Sequence, residues 1–447
     1  MRHGYGRWPM APAAALVAVW LVPTASALPS YSRQTGDTCA ACHVSAFGPQ
    51  LTPHGQAFKL HAYAESTGSW TPPVSAMAVV SYLSTRADNP VSEGDANDNF
   101  RMDEASLFLA GKIAGPVGSF AQLTYEGPGH VWGLDNVDLR AAFDTVLDGM
   151  DAVVGVSINN NPGVQDPWNT FGAWRYPYND SEFAIGGAAA PLIDGGLEIQ
   201  VVGATAYAMI DNKFYVEAGA YATPGDSFLD AIGVAPDESA KLNGAAFYGR
   251  FAYQKDWGKQ NAHVGMAILD ASLYPDRDSS LPSDHYTDLV IDAGYQWLGS
   301  RKHIATIQGA YTYEWRDLKG SYLIDAAGDR KSNLQSLTLD ATYVYDQTYE
   351  GILGLSTVWG GRDTILYVPD PVEGSRNGKP NTTSLSLEGA WTPFGKEGSW
   401  GAPYANLKLG IRYTHDFTFN GASSDYDGFG RDASDNDAFL GYLWTAF

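Results

Sequence analysis

The chain has 447 residues, of which 13% are aromatic and 17% charged, with 49 glycines and a formal charge of −22. That balance argues against nucleic acid and anionic lipid as partners; it points towards cations or basic partners, or equally to acidity that keeps an exported protein soluble. Past the first residues every apolar run is broken within a few positions by Asp, Glu, Lys, Asn or Gln, so no helix can span a bilayer. Any return to a membrane requires a β-barrel.

Residues 1–27 read as a secretory signal peptide. Arg2 and Arg7 precede the apolar run APAAALVAVWLVPTA, which closes on Ala25-Ser26-Ala27, a small-x-small cleavage pattern. The run is shorter than the roughly 20 residues a spanning helix needs. Cleavage removes two cations and no anion, which makes the mature chain still more acidic.

Residues 28–72 form a second unit, and its chemistry lies in DTCAACHVSAFG (37–48). Cys39-Ala40-Ala41-Cys42-His43 has the spacing of covalent haem c attachment: two thiols for the two vinyl groups, and an imidazole for the iron from the next residue. A disulfide between Cys39 and Cys42 is one alternative. A zinc site is another, but it would need further Cys or His at ligand spacing. With haem bound, His43 is the proximal ligand, and His54, His61 and Met77 are the nearby candidates for the opposite position, His54 foremost because Gly55 follows it. About 40 residues is close to the limit below which a domain rarely folds without help. The porphyrin must therefore lean on the rest of the chain.

Residues 73–447 alternate with period 2 in segments of about ten residues, punctuated by Gly, Pro, Asn and Asp. In YANLKLGIRYTHD, Leu407, Leu409, Ile411 and Tyr413 share one face, and Asn406, Lys408, Gly410, Arg412 and Thr414 the other. TTSLSLEGAW and NLQSLTLDATY repeat the scheme. A soluble sandwich also alternates. Export, a strand-like end at DAFLGYLWTAF and connections that alternate between short and long favour an outer-membrane barrel, with short periplasmic turns and long outer loops.

Counted back from Phe447, long connections near 419–436, 361–381, 316–331, 273–283 and 223–242 alternate with tight ones near 394–403, 346–348, 299–302, 256–259 and 210–213. This register makes IDNK a periplasmic turn between the strands LEIQVVGATAYAM and FYVEAGAYAT. It also places EFAIGGAAA in a connection, which leaves about sixteen antiparallel strands. The connection from about Asn159 to Gly195 is too long for an ordinary loop, and Trp168, Trp174, Tyr176 and Tyr178 mark it as a folded segment that enters the lumen. Acid collects in the outer loops, at Asp88, Glu93, Asp95 and Asp98 and at Asp425, Asp427, Asp432 and Asp435. Solvated loops with divalent counter-ions, or a cation-gathering mouth, both account for it. Glu104, Lys112, Glu388, Lys408 and Arg412 fall on the polar, lumen-facing side.

Taken together, CAACH, the tract GQAFKL (55–60), the barrel and NNNPGVQDPWNT (159–170) resemble the fused monohaem cytochrome–porins of bacterial outer membranes, over nearly all of the mature chain. The resemblance implies covalent haem c at Cys39 and Cys42 with His43 as proximal ligand. It implies an Fe(II)-oxidising cytochrome that takes electrons from extracellular iron or another donor and passes them to a periplasmic cytochrome or other soluble carrier. Outer-membrane lipid is the surrounding partner, and the haem segment lies at the periplasmic side or within the barrel. One departure is His54, where an aromatic residue is expected before Gly55. A diffusion porin for small solutes, plugged by the haem segment, is the reading from a different functional class.

Overall fold

The computed structural model describes residues 28–92, 94–126, 131–236 and 239–447. The signal peptide and Glu93 lie outside the described residues. Among the described residues sixteen strands, from β1 (Val74–Thr85) to β16 (Ala438–Ala446), pair antiparallel, each with its neighbours in sequence. The barrel closes where β1 meets β16, with Met77 opposite Ala446 and Thr85 opposite Ala438. Closure leaves no unpaired edge, which is the condition for a sheet to survive in lipid.

The side-chain polarity is inverted relative to a water-soluble protein. On β15 (Asn406–Thr418), Ile411 is 58% exposed while its neighbour Arg412 is 4% exposed. The alternation read from the sequence is therefore correct, and the apolar face points outward. Leu387, Ile291, Ile307 and Leu353 continue the outer band, and Trp257, Trp297, Tyr349 and Trp391 ring its tight-turn end. An apolar belt flanked by aromatic residues is what a bilayer requires of a barrel exterior.

Connections 211–213, 258–259 and 346–348 are tight, whereas 223–245, 361–381 and 419–437 are long, as the register requires. EFAIGGAAA lies within connection 160–201, outside any strand. One boundary differs: β6 is Val202–Ile210, not a strand from Leu197. Leu197 and Val201 are instead buried inside the barrel with Phe171 and Ile193, and Ile199, at a φ of 57°, breaks the extended backbone between them. An apolar run looks the same whether it faces lipid or a packed lumen.

Two inserts fill the lumen. The first carries helices α1 (Pro29–Thr35), α2 (Cys39–Cys42) and α3 (Pro53–Leu60). The wall grips it through side-chain donors: Gln296 to Leu51 O at 2.7 Å, Asn406 to Ala46 O at 2.8 Å and Tyr207 to Leu60 O at 2.7 Å. It sits at the tight-turn end, where Arg301 donates to Ala40 O and Ala40 N donates to Gly395 O. The second insert is connection 160–201, held by the buried ion pair of Arg250 with Asp166 at 3.0 Å and by Trp168 donating to Gln254 at 2.9 Å. The two inserts also meet each other, with Asn169 donating to Pro49 O at 2.8 Å.

Candidate haem-binding site

α2 is a single turn that sets Cys39 and Cys42 three residues apart, on one face. Its C-cap is His43, whose N–H donates to Cys39 O at 2.9 Å and whose backbone bridges to Leu51. Thr52 then ties the turn to the next helix. Its N–H donates to Cys42 O at 2.9 Å, its hydroxyl donates to Ala41 O at 2.6 Å, and the same hydroxyl accepts from Gly55 N at 3.3 Å as the N-cap of α3.

Gly55 is where the two helices cross. A Cβ there would stand 2.3 Å from Cys42 O and 3.1 Å from Cys42 Cα, and both obstacles are backbone. Gly55→Ala must therefore push α3 away from the cysteine turn. The expected result is a barrel that still shows heat-modifiable migration but carries less than half the wild-type haem per protein, read from its absorption.

Between the three helices lies a pocket of about 80 Å³, smaller than the roughly 300–1,000 Å³ typical of cofactor sites, so its fit to a cofactor rests on the chemistry of its lining. Cys39, Cys42 and His43 line it together with Tyr31, Phe58, Tyr63 and Trp174, and Phe120 adds a wall from β3 (Val117–Glu126). Tyr31 meets Phe58 edge-on at 5.0 Å, and Phe120 meets Trp174 the same way at 5.7 Å. The pocket thus draws on the first insert, the barrel wall and the second insert, so residues 28–72 alone do not complete it.

Burial sets the charge states. It raises Cys39, and it pushes Cys42 up to about 12 with Asp37 adding to the effect, so both thiols stay protonated. It holds His43 down to about 4 against the opposing Gly48 backbone, leaving a neutral imidazole. Gly48 lies near the ring without reaching hydrogen-bond geometry, and Nδ1 is buried with no partner. Two protonated thiols, a neutral imidazole and an aromatic slot fit a c-type haem, with Cys39 and Cys42 as tethers and His43 as iron ligand. The thiols are not joined to each other. Among the described residues no third Cys, His or carboxylate gathers with them as a zinc site requires.

The three other ligand candidates do not line this cavity. His54 is exposed on α3 with Nε2 2.9 Å from Asp37. His61 places Nδ1 2.8 Å from Ala57 O and Nε2 3.2 Å from Asp144. Met77 is buried in β1 against the aromatic core. Lys59, not singled out from the sequence, does line it. Burial and nearby Arg140 pull Lys59 down to about 7. Its amine donates to Val164 O at 2.8 Å and Asn169 Oδ1 at 2.7 Å, both on the second insert. Its place in the tract GQAFKL was the one available signal.

Of the five lumen candidates, Glu104, Glu388, Lys408 and Arg412 are buried inside. They bind protein and do not line an open pore: Lys408 pairs with Glu350, and Arg412 donates to Asn179 O and Asp180 on the second insert, both at 2.6 Å. Lys112 keeps its place in the alternation, opposite Gly118, but it is exposed, as are the residues that follow it to the end of β2 (Asn99–Ala114). Much of the loop acid serves the loops themselves. Asp427 accepts from the N–H groups of Val372, Phe429 and Arg431, and Asp432 with Asp435 forms a capping box.

No family model and no curated protein sequence matches the chain. Solved structures that align with it include OmpT of Vibrio cholerae, folded in vitro (TM-score 0.42, 10% identity, covering 84% of this chain and 96% of that one). Others are an anion-selective porin from Comamonas acidovorans (0.44, 13%, 83% and 98%) and OprB of Pseudomonas putida at high pH (0.49, 11%, 84% and 93%). Each score is below 0.5, and the barrel's own closure, alternation and outward apolar band carry the assignment: this is a sixteen-stranded antiparallel barrel of the outer-membrane type.

Proposed function

We propose that this protein is an outer-membrane electron conduit that takes one electron from extracellular Fe(II) and delivers it to a soluble periplasmic carrier. The reading is carried by the shared cavity of Cys39, Cys42 and His43, set at the tight-turn end of a lumen that two folded inserts fill. Iron is the substrate: each Fe(II) loses one electron and stays outside as Fe(III), and the carrier gains that electron. When bound, a c-type haem supplies the one-electron centre between donor and carrier.

The chain's own residues hold and insulate that centre. Cys39 and Cys42 would tether it, His43 would ligate its iron, and Tyr31, Phe58 and Trp174 would exclude water from the pocket. The inserts, the second anchored through Arg250 and Arg412, would stop iron from following the electron inward. The net charge of −22 draws cations towards the outer loops. Anaerobic mixing of purified protein with Fe(II), followed by haem absorption, is expected to show reduction. Haem that stays oxidised across a broad pH range would remove iron as the donor and leave a conduit for another one.

A diffusion porin for small solutes is favoured by the strand number, since barrels of sixteen to eighteen strands are wide enough for an aqueous channel. In a planar bilayer that function gives steady ion conductance. The conduit reading expects almost none, because the inserts bond to the wall around the lumen.

A further inference from the structure

Haem held by His43 leaves a second axial position on the iron, and the cavity offers few atoms that can take it. Tyr31 donates its hydroxyl to Ser119 O at 2.8 Å and Tyr63 donates to Asp138 at 2.7 Å, so both phenols stay protonated and engaged. Asn169 is used at both amide atoms, accepting from Lys59 and donating to Pro49 O. Asp37 is taken by His54. Lys59 remains, 4% exposed on the last turn of α3, and apart from His43 it is the single basic side chain among the lining residues.

We propose that Lys59 supplies the second axial ligand to the iron of a haem held at Cys39, Cys42 and His43, an assignment that rests on the haem reading above. A neutral amine has two N–H bonds and one lone pair. Val164 O and Asn169 Oδ1 accept the two N–H bonds, and the lone pair is left for a metal. Neither acceptor is a carboxylate, although a buried ammonium ordinarily needs one. The competing arrangement keeps Lys59 charged, with its third N–H towards the Trp174 ring, whose centroid is 4.8 Å away, or towards a haem propionate. The two differ in what an arginine can replace.

The test uses the full-length protein purified with its haem. Covalent haem content is measured first; if wild-type protein carries none, the haem reading itself fails and not this assignment alone. With haem present, the ferric wild type is expected to be low-spin by absorption and electron paramagnetic resonance, with the signature of histidine–amine ligation. Lys59→Ala is expected to turn most of the haem high-spin at unchanged haem content, and added imidazole should return it to low-spin. Lys59→Arg keeps the charge but cannot ligate, and it should also be high-spin. Lys59→Met, close in shape, should load haem even if the alanine variant does not, and it should exchange the amine signature for that of a thioether. A low-spin spectrum unchanged in Lys59→Ala or Lys59→Arg, a high-spin wild type, or conversion by His54→Ala in place of Lys59→Ala overturns the proposal.

Discussion

Changing Cys39 and Cys42 together to serine is expected to give a folded barrel with no covalent haem. Denaturing electrophoresis stained for haem should lose the band entirely, and reduction by Fe(II) should vanish with it. The barrel itself should survive, because its sixteen strand pairings involve neither residue. Heat-modifiable migration checks that point. His43→Ala separates tethering from ligation: it should keep the stained band and change the absorption spectrum. A double-serine variant that still stains would refute the attachment site.

Arg140→Ala should have the largest effect on the lumen. Its guanidinium is buried and ties three parts of the chain together. It donates to Asp138 at 2.6 Å beside it on β4 (Val131–Leu147), to Lys59 O at 3.2 Å on the first insert, and to Gln165 O at 2.7 Å on the second. Asp138 also accepts from Tyr63 and Ser157, both at 2.7 Å. Removing the cation leaves a buried carboxylate uncompensated, which costs roughly 3–5 kcal/mol. The strand ladders stay intact, so the loss falls on the seating of the inserts. Planar-bilayer recordings should show ion conductance that the wild type lacks, and haem release on heating should begin at lower temperature. Arg330→Ala is the control: its pair with Asp317, at 2.6 Å, is solvent-exposed and contributes little to stability. Conductance and heat stability equal to wild type in Arg140→Ala would mean that other contacts hold the plug.

Leu409, Ile411 and Tyr413 against Lys408, Gly410 and Arg412 made the strand period readable, because the pleat fixes side-chain direction whatever lies around the sheet. The alternation of tight and long connections then set the strand number, including the exclusion of EFAIGGAAA. The start of β6 was not legible, since Leu197 and Val201 are as apolar in the packed lumen as they would be against lipid. Lys112 holds its place in the alternation but is exposed, because it lies in the last residues of its strand, and alternation fixes a side chain's direction and not its burial. Lys59 was passed over among ligands because its burial depends on Val164, Asn169 and Trp174, more than a hundred residues further on.

By itself the sequence determined the local geometry: a CxxCH turn, period-2 strands and the punctuation between them, all set by neighbours within a few residues. Only the tertiary structure decided that the lumen is filled, that wall and second insert complete the pocket, and which polar side chains face it. Those outcomes depend on segments that closure of the barrel brings together, with Arg140 meeting Lys59 and Gln165, and Gln296 meeting Leu51. No local pattern encodes contacts of that range, because they form only when the sheet closes around the chain's own inserts.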